Sequence, residues 1–305
     1  MTPFEKARTF IYRNARPVDL MRWRYHFESG SAEDVMHALS FYQNPDGGFG
    51  HALEADSFNP NSCPIQTWAA TEIIREIHWT DPAHPVVQGI LSYLDSGADF
   101  DETERQWRNS VLSNNDYPCA VWWKCDGTSE FRYNPTAALA GFALKFADPG
   151  SDVYRKCETI AREAYAWLCA NIPFEETHIT GCFLALYEYL TDAGTALIDM
   201  VQFRRILVPQ ANGNICRDPE KWRTDYVTLP SEYVASADSI LYADNAELLC
   251  EEARLIPEML GEDGAFPVPW QWYNDHREFP LAENWWKAHL LIRRMLPYRK
   301  LFGGM

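Results

Sequence analysis

Apolar residues recur at three- to four-residue spacing along most of this chain, and that period predicts helices. In 152–171, Val153, Cys157, Ile160, Ala161, Ala164, Trp167 and Leu168 repeat at three- to four-residue spacing, with charged residues between them. The same one-sided pattern runs through 84–97 (Val87, Ile90, Leu91, Leu94), 177–190 (Ile179, Cys182, Phe183, Leu186, Leu190) and 242–259 (Tyr242, Ala246, Leu249, Ala253, Ile256). A second kind of segment alternates with these. Residues 137–146, AALAGFALKF, are apolar on nearly every side, as are much of 65–77 and 281–295. A helix without a polar face is expected to be buried all round. Start signals agree: Ser31 with Asp34 resembles a capping box, and Cys63-Pro64 and Asn134-Pro135 put proline at a first helical position. No alternating segment of useful length is present, so strands are expected to be minor and the fold class all-α.

The order of segments predicts helical hairpins, an outer helix followed by an inner one. The pairs are 32–43 with 64–78, 84–97 with 135–147, 152–171 with 177–190, and 242–259 with 281–296; the segment 195–240 is less regular. Long loops at 98–134, 208–240 and 260–280 interrupt the series, and loops of that length tend to carry function. Hairpins with one wholly buried member are best accommodated by a closed ring, an α/α toroid in which outer helices cover inner ones. No Gly-, Ser- or Pro-rich linker divides the chain, so residues 1–305 are expected to form one toroid domain.

Charge narrows the partners. With 27 basic and 43 acidic side chains the net charge is −16, which repels a phosphate backbone, so no nucleic-acid partner is expected. The densest basic clusters, Arg22/Arg24 and Arg293/Arg294 with Arg299/Lys300, read as solvated helix faces. No apolar run approaches the roughly 20 residues a bilayer crossing needs. Residues 1–16 mix acidic and basic side chains without a secretory pattern, so a cytoplasmic protein without a membrane span is expected. The eight cysteines form no C-x-x-C pair and several occupy apolar helical positions; reduced, mostly buried thiols are expected, with no metal and no cofactor.

Residues 43–50 read Gln-Asn-Pro-Asp-Gly-Gly-Phe-Gly between two helical patterns. Gly47, Gly48 and Gly50 are expected to supply positive φ and close backbone approach, with Phe49 plugging the layer beneath. A degenerate echo, Glu262-Asp263-Gly264-Ala265-Phe266-Pro267, lies near the other end. With Thr67-Trp-Ala-Ala-Thr71 in the following helix, this turn resembles the repeat of protein prenyltransferase β-subunits and squalene/terpene cyclases, where it precedes the inner helix of an α/α toroid. More narrowly, GGFGHALEAD (47–56), CAVWW (119–123), NPTAALAG (134–141), DGAFPVPWQW (263–272) and ENWWKAHL (283–290) resemble a group of uncharacterised bacterial toroid proteins. The resemblance implies the toroid fold over most of the chain and a central, aromatic-lined cavity. The families' chemistry carries over less well. No Asp-x-Cys zinc pair occurs, and the positions where prenyltransferases hold diphosphate with Arg and Lys carry His51, Glu54 and Asp56. Two carboxylates oppose an anion unless Mg²⁺ bridges them. Asp-Asp-x-x-Asp is absent, and the nearest approach to the cyclases' Asp-x-Asp-Asp is Asp99-Phe-Asp101-Glu102, which reads as the end of a helix.

Glu54 and Asp56, two apart on a loop, can converge on a hydroxyl, a cation or a proton, and are the candidate catalytic acids. The bland alternative is loop stitching, with Asp56 accepting backbone N–H bonds. Trp122, Trp123, Trp270, Trp272, Tyr273 and Trp286 stand near predicted mouths of the ring and are candidate substrate contacts, since indoles stack on sugars and face carbocations; core packing is the alternative for each. His51, Asn134, His178 and Glu283 complete the candidate set, although Asn134 also reads as an N-cap, His178 as a helix-start residue and Glu283 as a helix-dipole partner. Asp275-His276 forms a further acidic–imidazole group, and neither a nucleophile elbow nor a phosphate-cradling loop is present. Three readings follow for a small-molecule substrate. The first is a metal-independent, acid-initiated enzyme of terpene-cyclase type acting on an isoprenoid. The second is a carbohydrate-active toroid using paired carboxylates and Trp platforms on a glycan. The third is a non-catalytic binding toroid.

Overall fold

The computed structural model describes residues 1–302, with side chains to residue 299. Among the described residues it holds twelve α-helices and two strands of two residues each, so the chain is all-α as expected. Strands β1 (Phe100–Asp101) and β2 (Gln106–Trp107) pair antiparallel, with Phe100 opposite Trp107. No described helix is long and apolar enough to cross a membrane. The chain forms two compact units, Met1–Ala38 with Ala211–Met305, and Leu39–Gln210.

The 39–210 unit is built around α6 (Thr136–Phe146), the segment without a polar face. Every residue of it except Lys145 is buried. Helices α4 (Pro64–Glu76), α5 (Pro85–Ser96), α7 (Asp152–Asn171) and α8 (Thr177–Asp192) pack on it. Burying a side chain such as Leu139 or Phe142 contributes roughly 1.5–3 kcal/mol. The closest of these contacts needs a missing side chain: a Cβ at Gly141 would lie 2.9 Å from the Tyr189 ring and 3.1 Å from the Leu186 Cα of α8. Helix α7 buries Val153, Cys157, Ile160, Ala161, Ala164 and Leu168, the stripe its period predicts except for Trp167, which is half-buried. Its N-terminus is capped by Ser151, whose hydroxyl accepts the Tyr154 N–H.

The start signals hold in two of three cases. Ser31 and Asp34 satisfy one another's backbone N–H, both at 3.1 Å, ahead of α3 (Ala32–Ser40), and Pro64 opens α4. At α6 the cap position falls on Pro135, not Asn134; the Asn134 amide oxygen instead accepts the Cys182 thiol of α8 at 3.5 Å.

In the other unit, α1 (Pro3–Asn14), α2 (Pro17–Phe27), α10 (Pro230–Tyr233), α11 (Tyr242–Met259) and α12 (Phe279–Phe302) surround a core that includes Phe10, Trp23, Trp222, Ile256, Phe266 and Leu291. Helices α1 and α2 go beyond the predicted set. The stripe of α1 is narrow (Ala7, Phe10, Ile11), but its start is a full capping box in which Thr2 accepts the Glu5 N–H at 3.1 Å and Glu5 the Thr2 N–H at 2.7 Å. In the irregular 195–240 stretch, α9 (Met200–Asn214) forms despite an internal Pro209.

Both basic clusters depart from the solvated-face reading. Arg22 is buried and ion-paired with the fully buried Asp19 at 2.8 Å, which also binds Arg16 at 2.7 Å. Arg294 is buried as well, while Arg24 and Arg299 are exposed; the Lys300 side chain lies outside the described residues. The cause is spacing. Arg22 stands four residues after Val18 and Arg294 three after Leu291, on the faces their helices turn to the core.

Candidate functional site

The 43–50 turn is a set of backbone bonds with one glycine, Gly47, at positive φ. Gly47 donates to the Asn44 carbonyl (2.9 Å) and Asn44 to the Gly48 carbonyl (2.8 Å). The Asp46 carboxylate accepts the Gly48 N–H (3.0 Å) and the Ser62 hydroxyl (2.6 Å). Gly47 sits at φ +88, and a Cβ there would run into the Gly89 carbonyl of α5. Gly48 and Gly50 do not take positive φ; they are small because Ser62 and Pro60 lie against them. The left-handed backbone falls instead on His51 and Ala52, both at φ 59. Phe49 is fully buried, as expected, and its N–H donates to the Thr67 hydroxyl of α4 at 3.1 Å.

The echo is a structural repeat of this turn. Gly264 donates to the Gly261 carbonyl (3.0 Å), Gly261 to the Ala265 carbonyl (2.8 Å), and Asp263 accepts the Ala265 N–H (3.0 Å). Gly264 has φ +86, and Phe266, like Phe49, is fully buried. The two units thus make the same turn from sequences that share only an Asp-Gly-x-Phe frame.

Beyond Gly50 the chain folds into a loop stitched by amides. Gln66 of α4 accepts the Leu53 N–H and donates to the Asn59 carbonyl, both at 2.9 Å. Asn59 donates to Asn114 at 2.8 Å and to Ser113 at 2.9 Å, and Asn114 donates to the Trp123 carbonyl at 3.0 Å. Backbone bonds from Ala120 to Asp56 and from Phe58 to Pro118, both 2.9 Å, lay residues 56–58 along 118–120. This lattice holds Glu54 at 6% and Asp56 at 2% exposure, with Glu54 Oε2 accepting the Asp56 N–H at 3.0 Å. Both acids are thus buried, and the stitching bond runs to Glu54, whereas the sequence reading makes Asp56 the acceptor. Burial, helped by the charges of Asp99 and Glu54, pushes the Cys63 thiol up to about 12, and burial followed by the Glu54 charge raises Cys119. Neither thiol is a nucleophile near neutral pH.

Against this loop, Trp68 and Trp123 pack on a small apolar cluster of Cys63, Ile65 and Val111. Both indole N–H groups are enclosed and have no acceptor. Trp123 is one of the candidate contacts, and Trp68 lies inside the Thr67–Thr71 segment without being one; Asn59, Gln66 and Asn114 escape a sequence reading, because nothing local separates them from ordinary helix and loop residues. His51 is exposed and its Nε2 lies 3.0 Å from the Asn44 amide oxygen, so it braces the turn. Trp122 is 40% exposed. Asn134 meets α8 through Cys182, and His178 lies exposed in the first turn of α8, its N–H taken by Glu176. Asp99 accepts the Tyr93 hydroxyl at 3.3 Å, and Asp101 pairs with Arg108 at 2.6 Å. Both serve the end of α5 and the β1–β2 ribbon.

The remaining candidates lie in the 1–38/211–305 unit. There, residues 271–280 fold around an open cleft of about 610 Å³, lined by Trp272, Tyr273, Asn274, Asp275 and His276 among others. Trp272 is buried, whereas Tyr273 stands 70% exposed on a left-handed backbone (φ 56), a costly conformation for a bulky residue. Trp270 packs edge-on against Tyr226 and Trp286, with centroids at 5.6 and 5.2 Å. The Trp286 indole N–H is a further enclosed donor without an acceptor. Glu283 pairs with Lys287 at 3.0 Å, and Lys287 with Asp263 of the repeated turn at 3.1 Å. Among the described residues no group of three or more His, Cys, Asp or Glu side chains is arranged to hold a metal ion.

A buried acid outside the predicted set is Glu252 of α11. Ser231 at the start of α10 donates to it twice, from its hydroxyl at 2.6 Å and its N–H at 2.9 Å. Burial pushes the Glu252 carboxyl up to about 7 against those bonds and the Arg294 charge. No protein-family model, no curated protein and no solved structure matches the chain.

Proposed function

We propose that this chain is an α/α-toroid enzyme that performs acid–base chemistry on a polyhydroxylated small molecule of the glycan class, with Glu54 and Asp56 as its acid pair. One observation carries the choice of ligand: the partnerless indole donors of Trp68 and Trp123 on the cluster beside the carboxylate loop. An enclosed donor left unmatched costs about 1–3 kcal/mol. Hydroxyl and ring oxygens of a sugar supply acceptors for both donors, and a hydrocarbon supplies none. The indole faces stack on the apolar face of the same ligand. In this scheme Glu54, oriented through Oε2 by the Asp56 N–H, exchanges a proton with the reacting oxygen, and Asp56 completes the pair. The twice-made turn supports the toroid reading, since in both units it lies ahead of a helix of the inner series, α4 or α12.

The isoprenoid reading keeps one support of its own, the likeness of that turn to the terpene-cyclase repeat. Thermal unfolding against oligosaccharides and isoprenoids separates the two, because a ligand that binds only the folded chain raises its midpoint. Glycan stabilisation with product formation by mass spectrometry is expected, and Glu54→Gln and Asp56→Asn should abolish turnover while circular dichroism is unchanged. Stabilisation by isoprenoids alone would reject the glycan class. Full activity in both variants would remove the acids from the mechanism.

A further inference from the structure

Arg294 of α12 lies in the core face of its helix, one turn from Leu290 and Leu291, and is only 6% exposed. Its guanidinium sits over the Phe266 ring, 4.8 Å from the centroid. It makes no hydrogen bond or ion pair with the described residues, and its Nε is enclosed without an acceptor. A guanidinium keeps its charge and carries five donors. Unmatched burial of such a group is strongly unfavourable, so folded chains supply it with partners. The acids that bear on it are Glu232 of α10 and Glu252 of α11. Neither serves as its hydrogen-bond partner; the two Glu252 oxygens are engaged by Ser231. With its carbon over the Phe266 ring, the guanidinium carries a fork of donors that fits a carboxylate or a phosphate two bonds at a time.

We propose that Arg294 anchors a binding site for one small oxyanion, a carboxylate or phosphate held bidentately at the guanidinium edge with Phe266 as its wall. The site does not draw on the role given to Glu54 and Asp56. Calorimetric titration and thermal unfolding of the full chain test it, with inorganic phosphate in one arm, succinate in the other, and chloride holding ionic strength constant. Saturable binding that raises the unfolding midpoint is expected in at least one arm, and the arm that responds identifies the source of the oxyanion. Arg294→Lys keeps the charge and loses the fork, so it should weaken binding about tenfold or more; Arg294→Met should abolish it. Should the Met variant fail to fold, the wild-type and Lys titrations still decide. Absence of saturable binding to the wild type up to millimolar concentration, or equal affinity in wild type and Arg294→Lys, would overturn the proposal.

Discussion

Replacing Glu252 by Gln should stabilise this protein, and only above a defined pH. The carboxyl is wholly buried between α10 and α11, and burial lifts it from its ordinary 4.5 to about 7 in spite of two Ser231 bonds and the Arg294 charge. A raised carboxyl makes the folded chain bind more protons than the unfolded one between those values. Stability therefore falls as pH rises through the window, and the loss is complete above about 8. The gap corresponds to about 3 kcal/mol. Glutamine is isosteric and keeps both bonds: its carbonyl accepts the Ser231 N–H, and its amide donates to the Ser231 hydroxyl. At pH 5 the variant should lead by only about 1 kcal/mol, because the folded carboxyl is still neutral while the unfolded one has begun to ionise. At pH 8 the variant should be more stable by an amount approaching ~3 kcal/mol. Urea unfolding from pH 5 to 8 reads the difference, in which the other titrating groups cancel. Exchange of the Ser231 amide reports the same change locally. Parallel stability profiles, or a variant no more stable than wild type at pH 8, would refute the reasoning.

The repeated turn makes a graded prediction. Gly47→Ala and Gly264→Ala each combine a left-handed backbone with a Cβ driven against a carbonyl (that of Lys6 at 2.7 Å for Gly264), and should each cost more than about 2 kcal/mol. Gly97→Ala has φ 72 but open space around it and should cost only about 1 kcal/mol; equal losses in denaturant at all three would reject the steric argument. Asn114→Ala removes one of the bonds made by the Asn59 amide and one of those to the Trp123 carbonyl, which Ser113 and Ser110 still serve, and should cost about 1–2 kcal/mol with faster proteolysis of 110–123. Unchanged stability there would show that the amide lattice does not hold the loop.

Helices α4 to α8 and α11 are legible in the sequence to within a few residues, and so are the plug residue Phe49, the Ser31–Asp34 box and the echo at 262–267. Each depends on residues three or four apart, or adjacent, so the information is local. Helix α1 is harder to read because only a narrow stripe of it is buried, and α9 because Pro209 interrupts its pattern.

What tertiary structure alone decided is where charge and donors end up. Arg22 and Arg294 look like surface cations until their helices' core faces are known. Ser231 and Glu252 are 21 residues apart, and Asn59 and Asn114 are 55 apart, when their side chains meet. Whether a polar group is matched is a property of the several elements converging on it, and a period read along one helix carries no term for the others. The sequence thus determined which segments coil and which stripe each buries; packing determined which polar atoms were satisfied and which, at Trp68, Trp123 and Arg294, were left with none.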